Sequence, residues 1–484
     1  MPTDRTRLVE DVVQRLDEYW TREFPLERFT YPKQGKKIND PIYQTIQVEP
    51  PIRFLLDLPV VQRLRWIRHL GLTSMVYPTA VHTRFDHSVG VYHVLTRFLD
   101  QFVKSRHAEN GPNDPLHDFG ENSLSEDLQL HLKVAAILHD VGHLPFSHCV
   151  ESSFDSVDYP EMGSDLFPTA SVHEYFGLKL LDTTYIRTAL EVVGDNEGVE
   201  LDVRFLRKCV AGDSKGVSPD RRWAVQLING DLDADKTDYL VRDSHFTGVP
   251  YGNVDLSRLL LMFRVKRDGD SLELFGNVRG LTAFESLFLS RLFMYSTVYH
   301  HHAKVAAETF LSRVVRSYFR FNDAEPEELL AWTDFRLCAR LESDERVGPH
   351  FLRLKARRLP KVLLSVDARE IKKKNWIREA KDLALERAIA ERFYEEGLWE
   401  AEGGFDSVPL PPVLVHFSEP HAAAPRFRFF LPGGEPALVR ELSNVIKKGT
   451  VLQRLGQAFS TDPSRASKKT AKLVEEVLDS ELRA

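Results

Sequence analysis

Val134–His148, VAAILHDVGHLPFSH, is the stretch on which the reading of this chain turns. An apolar run of helical character, Val134–Leu138, delivers adjacent His139 and Asp140, and Gly142 and Pro145 then break the helix. Imidazole and carboxylate at a buried helix end both need partners, because desolvating either one unpaired is costly. As ligands of one cation they are satisfied together, and that donor pair suits a divalent first-row metal or Mg²⁺. The bland alternative is that His139 and Asp140 pair with each other or cap the helix. The dipeptide alone leaves both open.

Two further segments weigh on that choice. HTRFDHSVGVYHV, starting at His82, sets His82, Arg84 and His87 just before and at the start of a helix, where Asp86 or Ser88 would serve as a polar cap. GDLDADKTDYLVRDS, starting at Gly230, holds Asp231, Asp233, Asp235, Asp238 and Asp243. On a helix Asp235, Tyr239 and Asp243 fall at i, i+4 and i+8 and line one face, with Lys236 and Asp238 beside them. An acidic helix start favoured by the macrodipole accounts for Asp231 and Asp233. It accounts poorly for Asp243, two turns in among apolar neighbours.

Outward from these words the chain reads as mostly α. Helices are expected over 5–24, 51–71, 87–105, 126–141, 170–190, 200–210, 282–320 and 326–342, with 25–50 irregular or a short hairpin and 108–123 a loop insertion. After about residue 345, strands at 362–366, 413–417 and 426–431 flank a charged helix at 377–398, and the segment from 440 onward reads as helical with Lys-rich turns. A short β turn is expected near 270–276. The division follows: 1–50 an N-terminal helix and a segment that is irregular or a short hairpin, 51–345 a helical core, 346–484 an α+β and helical C-terminal lobe. A net charge of −7 argues against a global basic field for nucleic acid. Cys149, Cys209 and Cys338 are scattered without CxxC spacing, which fits a reducing cytosol and argues against a thiolate zinc site. The opening MPTDRTRLVEDVVQRL does not read as a signal peptide, and no run of about 18 apolar residues exists to span a bilayer. The chain is therefore expected in the cytoplasm, without a membrane partner.

The ordered set H…HD…D resembles the HD superfamily of metal phosphohydrolases. The words RFDHSVG, HDVGHLPFSH and DADKTDYLVRD resemble, within it, the deoxynucleoside triphosphate triphosphohydrolases, the SAM-and-HD-domain enzyme and its bacterial relatives among them. The resemblance runs in order from about Lys36 to about Lys361. It implies an HD-type helical core and hydrolysis of dNTPs to deoxynucleoside and triphosphate. His87, His139, Asp140 and Asp235 are the implied ligands of a divalent metal, whether Mg²⁺, Mn²⁺, Fe²⁺ or Zn²⁺. His143, His148, Glu151 and His173 are the implied catalytic group, with Glu151 where the family has Asp. Arg84 and Lys236 are the implied triphosphate contacts, and Tyr239 and Asp243 the sugar-reading pair. Arg291, Tyr295, Tyr299 and His300 recur about every four residues on one helical stripe. There the chain keeps the family's Arg and stacking Tyr but has Tyr295 and His300 where relatives carry His and Gln. Likewise His69, before Leu70, stands where relatives often have Gln.

KKIND and LLDLPVVQRLRWIRHLG resemble the allosteric nucleotide site of the tetrameric relatives. The matching residues are Lys36, Asn39, Asp57, Gln62 and Arg65, with Arg264, Arg279, Arg357 and Lys361 as further cations. This implies a guanine-nucleotide effector and a homotetramer. The competing readings are an HD-family nuclease or nucleotide phosphodiesterase, and a nucleotide-sensing module without turnover. A nuclease calls for a basic stripe with aromatics for single-stranded nucleic acid. Only Lys447, Lys448, Lys468, Lys469 and Lys472 hint at one.

Overall fold

The computed structural model describes residues 4–482 apart from 112–113, 121–122, 152–153, 155–161, 163, 165–170, 253, 323, 368–381, 401–406, 418–426, 431–435 and 444–453. Helix α1 (Asp4–Glu23) buries Val9, Val12, Leu16 and Trp20 on one face. The expected hairpin follows as β1 (Lys36–Asp40) and β2 (Gln44–Val48), antiparallel from Lys36 opposite Val48 to Asp40 opposite Gln44. Helices α2 (Pro50–Leu56) and α3 (Pro59–Gln62) each open on a proline.

Helix α4 (Arg84–Ser105) starts before the expected position 87. Thr83, rather than Asp86 or Ser88, is the N-cap: its hydroxyl accepts from the N–H of Asp86, and the Asp86 carboxylate accepts from the N–H of Thr83 at 2.8 Å. This capping box puts Arg84 and His87 on the buried first turn. The expected insertion at 108–123 carries a small pairing of β3 (Glu109–Gly111) with β4 (Asp114–Pro115). Helix α5 (Glu126–Leu138), capped by Ser125, stops one residue before His139. Then come α6 (His148–Glu151), α7 (Val172–Leu181), α8 (Thr184–Glu197), α9 (Val203–Ala211), α10 (Arg222–Ile228) and α11 (Ala234–Thr247). The single helix expected over 170–190 is two, because Thr183 caps a new start at α8.

Helix α12 (Leu256–Met262) leads into the hairpin β5 (Phe263–Asp268) and β6 (Ser271–Asn277). The long helix expected over 282–320 is interrupted. It runs as α13 (Leu281–Met294), a π turn at Tyr295–Tyr299, and α14 (His302–Phe321). Such turns shift a helix face by one residue and recur at functional sites. Helices α15 (Asp334–Ser343) and α16 (Gly348–Lys355) follow.

The C-terminal part holds β7 (Lys361–Asp367), α17 (Asp382–Glu395), β8 (Val413–Phe417), β9 (Arg428–Phe430), β10 (Pro436–Leu438), β11 (Arg454–Ser460) and α18 (Lys468–Leu482). Strand β11 corrects the expectation of helix from 440 onward, since it is the centre of the sheet β7–β11–β8 and pairs on both sides. Tertiary pairing outweighs the local propensity of its residues. The first residues of the helix expected at 377–398 lie outside the described residues. Strand β9 runs parallel to β6, so the sheet β10–β9–β6–β5 joins the C-terminal part to the core. Buried Arg313 of α14 pairs with Glu386 of α17 at 3.0 Å. The fold is mostly α with a minor β part, as expected. No helix among the described residues is long and apolar enough to cross a membrane.

Helices α4, α5 and α11 pack together at the centre. Just beyond α5, Gly142 lies against α7: a Cβ there would be 2.1 Å from the carbonyl oxygen of His173 and 2.2 Å from the nitrogen of Gly177. Both are backbone atoms and cannot swing aside. Gly142→Ala is therefore expected to push α7 away at a cost of about 1–3 kcal/mol, read as a lowered thermal midpoint. An unchanged midpoint would contradict this packing.

Candidate metal centre

Three helix ends deliver the HD residues to one point. The first turn of α4 carries His87, the chain leaving α5 carries His139 and Asp140, and the first turn of α11 carries Asp235. His87 Nε2 lies 2.9 Å from Asp235 Oδ1 and 3.8 Å from Asp140 Oδ2. His139 Nε2 lies 3.4 Å from Asp140 Oδ1 and 3.9 Å from Asp235 Oδ1. All four residues that the resemblance implied thus come together.

The chemistry of the donors fits a cation. His139 Nδ1 sits 2.9 Å from the carbonyl oxygen of Ala136, which fixes that nitrogen as the N–H donor. Its buried Nε2 has no hydrogen-bond partner. An unpartnered imidazole lone pair facing two carboxylates out of water is repulsive unless something positive lies between them. His87 is held from behind, its Nδ1 2.9 Å from Asp238 Oδ2, the carboxylate–histidine arrangement that orients metal-binding imidazoles. Burial lowers the His87 imidazolium pKa, but hydrogen bonds to Asp235 and Asp238 and the charge of Asp140 outweigh it, and the group is pushed up to about 10. For Asp140 burial works upward, and Arg84, His139 and His143 together hold it well below the usual carboxylate range.

Asp140 also leads to a second group. His143 Nε2 is 3.2 Å from Asp140 Oδ1, and His143 Nδ1 is 3.1 Å from Glu151 Oε1. Glu151 Oε2 lies 3.2 Å from His148 Nδ1 and 3.0 Å from His173 Nδ1. One glutamate therefore ties three imidazoles, and its two oxygens reach both sides of the stacked His143–His173 pair, whose rings are 3.9 Å apart. Burial raises the Glu151 pKa, yet His173 and His148 hold it far below its ordinary value. Burial, Arg84 and His173 press His143 down to about 3. His148 is the one member of this group that faces solvent, with its side chain 65% exposed.

The implied substrate residues surround this pair of clusters. Arg84 is buried and bonded to Asp140 at 3.0 Å and to Ser147 at 2.9 Å, so it already supports a candidate ligand. Lys236 Nζ donates to Asp233 at 2.7 Å. Asp243 lies 2.9 Å from His82 Nε2, accepts from the Tyr299 hydroxyl at 2.7 Å and is 3.6 Å from His69 Nε2. The rings of Tyr239 and Tyr295 lie 6.4 and 4.9 Å from Tyr299. The Arg291 guanidinium stands over Tyr295 at 5.6 Å, and the His300 ring is 5.7 Å from the same tyrosine. Leu70 is buried next to His69 in the chain. His82, to which the sequence reading gave no role, is the group that pins Asp243.

Among the implied effector residues, four form one neighbourhood. Lys36 is 3.3 Å from Asp57, Arg65 donates to Gln62 at 2.8 Å and stacks over Phe85 at 3.5 Å, and Gln62 donates to the Leu56 carbonyl at 2.6 Å. Asn39 is on β1 with Lys36. Arg264 donates to the carbonyls of Leu261 and Phe263, Arg279 follows β6, Arg357 donates to the carbonyl of Met75, and Lys361 opens β7. Among the described residues, these last four make no hydrogen bond or ion pair to Lys36, Asp57, Gln62 or Arg65. Lys468, Lys469 and Lys472 are exposed on α18, whereas Lys447 and Lys448 lie outside the described residues.

A family described as an HD associated region matches residues 254–395, from just before α12 to the end of α17. An uncharacterized protein of Methanocaldococcus jannaschii is 31% identical over 392 residues, covering 79% of this chain and 71% of that protein. Deoxynucleoside triphosphate triphosphohydrolase SAMHD1 of Homo sapiens is 27% identical over 293 residues, covering 57% of this chain and 44% of that relative. A crystal structure of a hypothetical protein from Aquifex aeolicus superposes with a TM-score of 0.67 at 25% identity, covering 91% of this chain and all of that one.

Two substitutions separate binding from support. Asp235→Asn is expected to lose bound metal, by elemental analysis, with an unchanged circular dichroism spectrum. Asp140→Ala is expected to lose metal and also about 3–5 kcal/mol of stability, since it strands buried Arg84. Full metal content in Asp235→Asn would reject the ligand set.

Proposed function

This chain belongs to the HD-domain, dNTPase-like family of metal-dependent phosphohydrolases, and from that premise we propose that it hydrolyses dNTPs to deoxynucleoside and inorganic triphosphate under the control of a guanine nucleotide. The observation that carries the reading is the junction at Asp140. There a two-histidine, two-aspartate centre meets, at 3.2 Å, a separate His–Glu–His–His group, and Asp243, bonded to Tyr299 with the Tyr239 and Tyr295 rings near it, lies beside His69.

His87, His139, Asp140 and Asp235 would hold the divalent cation. When bound, it supplies Lewis acidity to a phosphoryl oxygen and to the attacking water. The protein's own groups do the rest. In the reaction, water oxygen bonds to the α-phosphorus, the bond from that phosphorus to the 5′ oxygen breaks, the 5′ oxygen takes a proton, and the attacking water releases one to solvent. His148 is the donor in this scheme: Glu151, kept ionised by its histidine neighbours, holds its Nδ1 and turns the solvent-facing ring. His143 and His173 fix Glu151. Lys236 and Arg291 contribute cationic donors for the triphosphate, while Arg84 keeps Asp140 ionised and in place. The Asp243 carboxylate, though bonded to Tyr299 and His82, has further lone pairs with which to accept from a 3′ hydroxyl. Tyr239 packs against the sugar on the face where a 2′ hydroxyl would project.

The effector half of the proposal rests on Asp57, Gln62 and Arg65. A guanine offers N1–H and N2–H donors to Asp57 and an O6 acceptor to Gln62 or Arg65. If neighbouring subunits complete that site, the nucleotide binds the assembled state only and drives a homotetramer by mass action.

The deciding experiment incubates purified protein with each dNTP and Mg²⁺ or Mn²⁺, with and without GTP, and identifies the products. Inorganic triphosphate plus deoxynucleoside is expected; pyrophosphate or orthophosphate would reject the reaction. His148→Ala should lower kcat by about 10²–10⁴-fold with metal content intact. Asp57→Ala should remove the GTP response and leave the metal in place. A normal GTP response in that variant overturns the control while sparing the chemistry.

A further inference from the structure

We propose that Asp40 and Arg242 are positioning residues of the metal centre, which makes the N-terminal hairpin part of the machinery that sets metal affinity. The inference rests on the ligand set proposed above and is independent of the substrate. Behind His87 runs an unbroken line of buried charge. His87 Nδ1 lies 2.9 Å from Asp238 Oδ2. Arg242 grips Asp238 with two bonds, Nε to Oδ2 at 2.8 Å and Nη2 to Oδ1 at 3.1 Å. With its remaining arm, Nη1, Arg242 donates to Asp40 Oδ2 at 2.8 Å. The line ends on fixed backbone, because Asp40 Oδ1 accepts from the N–H groups of Ile42 and Tyr43, both at 2.9 Å, within the β1–β2 turn. Solvent is excluded throughout: the side chains of Arg242 and Asp238 are 0% exposed and that of Asp40 is 6% exposed.

The order of charges gives the line its chemical consequence. Arg242 sits between two carboxylates and cannot neutralise both. Asp40 takes part of its positive field, so Asp238 keeps net negative charge toward the Nδ1 proton of His87. A stronger acceptor at Nδ1 makes Nε2 a better donor to a cation. Without Asp40, the Arg242–Asp238 pair closes on itself as a neutral unit and its pull on His87 weakens. Removing a partner from a buried pair also leaves the other charge without compensation. The close approach that makes this possible is written into α4 at Gly90, one turn after His87. A Cβ there would fall 2.1 Å from Asp238 Oδ1 and 2.3 Å from Arg242 Nη2.

The test measures Mn²⁺ affinity on chelator-stripped full-length protein by electron paramagnetic resonance of free Mn²⁺, alongside thermal denaturation. Asp40→Asn keeps one oxygen for the N–H groups of the turn and replaces the charged acceptor of Arg242 with a neutral amide. Ile46→Ala loosens the same hairpin from the core without touching the line. The expected result is a loss of about 10–100-fold in Mn²⁺ affinity for Asp40→Asn, with kcat restored by saturating Mn²⁺. Ile46→Ala should lower only the thermal midpoint. Native affinity in Asp40→Asn, or an equal loss in Ile46→Ala, overturns the proposal. Absence of Mn²⁺ binding by the parent protein would instead reject the ligand set on which it rests.

Discussion

His87 is an imidazole with a carboxylate on each nitrogen, sealed from solvent, and the centre of the molecule is arranged to satisfy it. Two carboxylates at 2.9 Å from one buried ring can coexist only if positive charge sits among them, because desolvated like charges repel strongly. Buried Arg242 supplies it on the Asp238 side, and buried Arg84 pairs with Asp140, a third carboxylate 3.8 Å from the ring. The remaining gap, between His87, His139, Asp140 and Asp235, is bordered by an unpartnered nitrogen and carboxylate oxygens. A divalent cation is what completes that balance. Helix ends are suited to this work. A residue on a first turn projects past the backbone, and a cap such as Thr83 or Asp233 fixes where that turn begins.

The same arrangement separates the candidate metal ligands from the group of His143, His148, Glu151 and His173. Asp140 Oδ1 lies 3.4 Å from His139 Nε2 and 3.2 Å from His143 Nε2, so the two clusters meet at one carboxylate oxygen. Glu151 is the counterpart on the far side. Its extra methylene, relative to the aspartate of the family, lets one oxygen serve His143 while the other serves His148 and His173. Close backbone packing at Gly142 holds the two segments in register, since α7 and the residues after Asp140 approach with no side chain between them.

Much of this was legible in the sequence, and the limits have physical causes. His and Asp at a helix break are costly unless they are ligands, so the HD words stood out from their surroundings. Asp238 and Arg242 did not, because an acid and a base four residues apart on a helix look like an ordinary exposed ion pair. Only their complete burial sets them apart, and their further partner, Asp40, stands 202 positions before Arg242 in the chain. His82 was visible as a residue but not as a partner, since its contact with Asp243 spans 161 positions. Strand β11 was misread for a related reason, because its strand character comes from neighbours at β7 and β8 rather than from its own residues. The π turn at Tyr295–Tyr299 escaped because helical periodicity alone does not register one extra residue in a turn.

Strand β1 carries both Lys36, beside Asp57, and Asp40, which holds Arg242. Side chains on a strand alternate, so Lys36, Ile38 and Asp40 share a face, and that face is the more buried one along β1. Lys36 at one end reaches Asp57, within the neighbourhood where Gln62 and Arg65 sit; Asp40 at the other reaches Arg242 and, through Asp238, His87. A strand of five paired residues transmits a displacement along its length better than a loop does, because every residue of β1 is registered against β2. An anion bound near Lys36 would compete with Asp57 for that cation, and the strand that carries Lys36 also anchors the last carboxylate behind the metal. Coupling between two sites requires an element whose position both sites bias; were a nucleotide held beside Lys36 as proposed, β1 would be such an element.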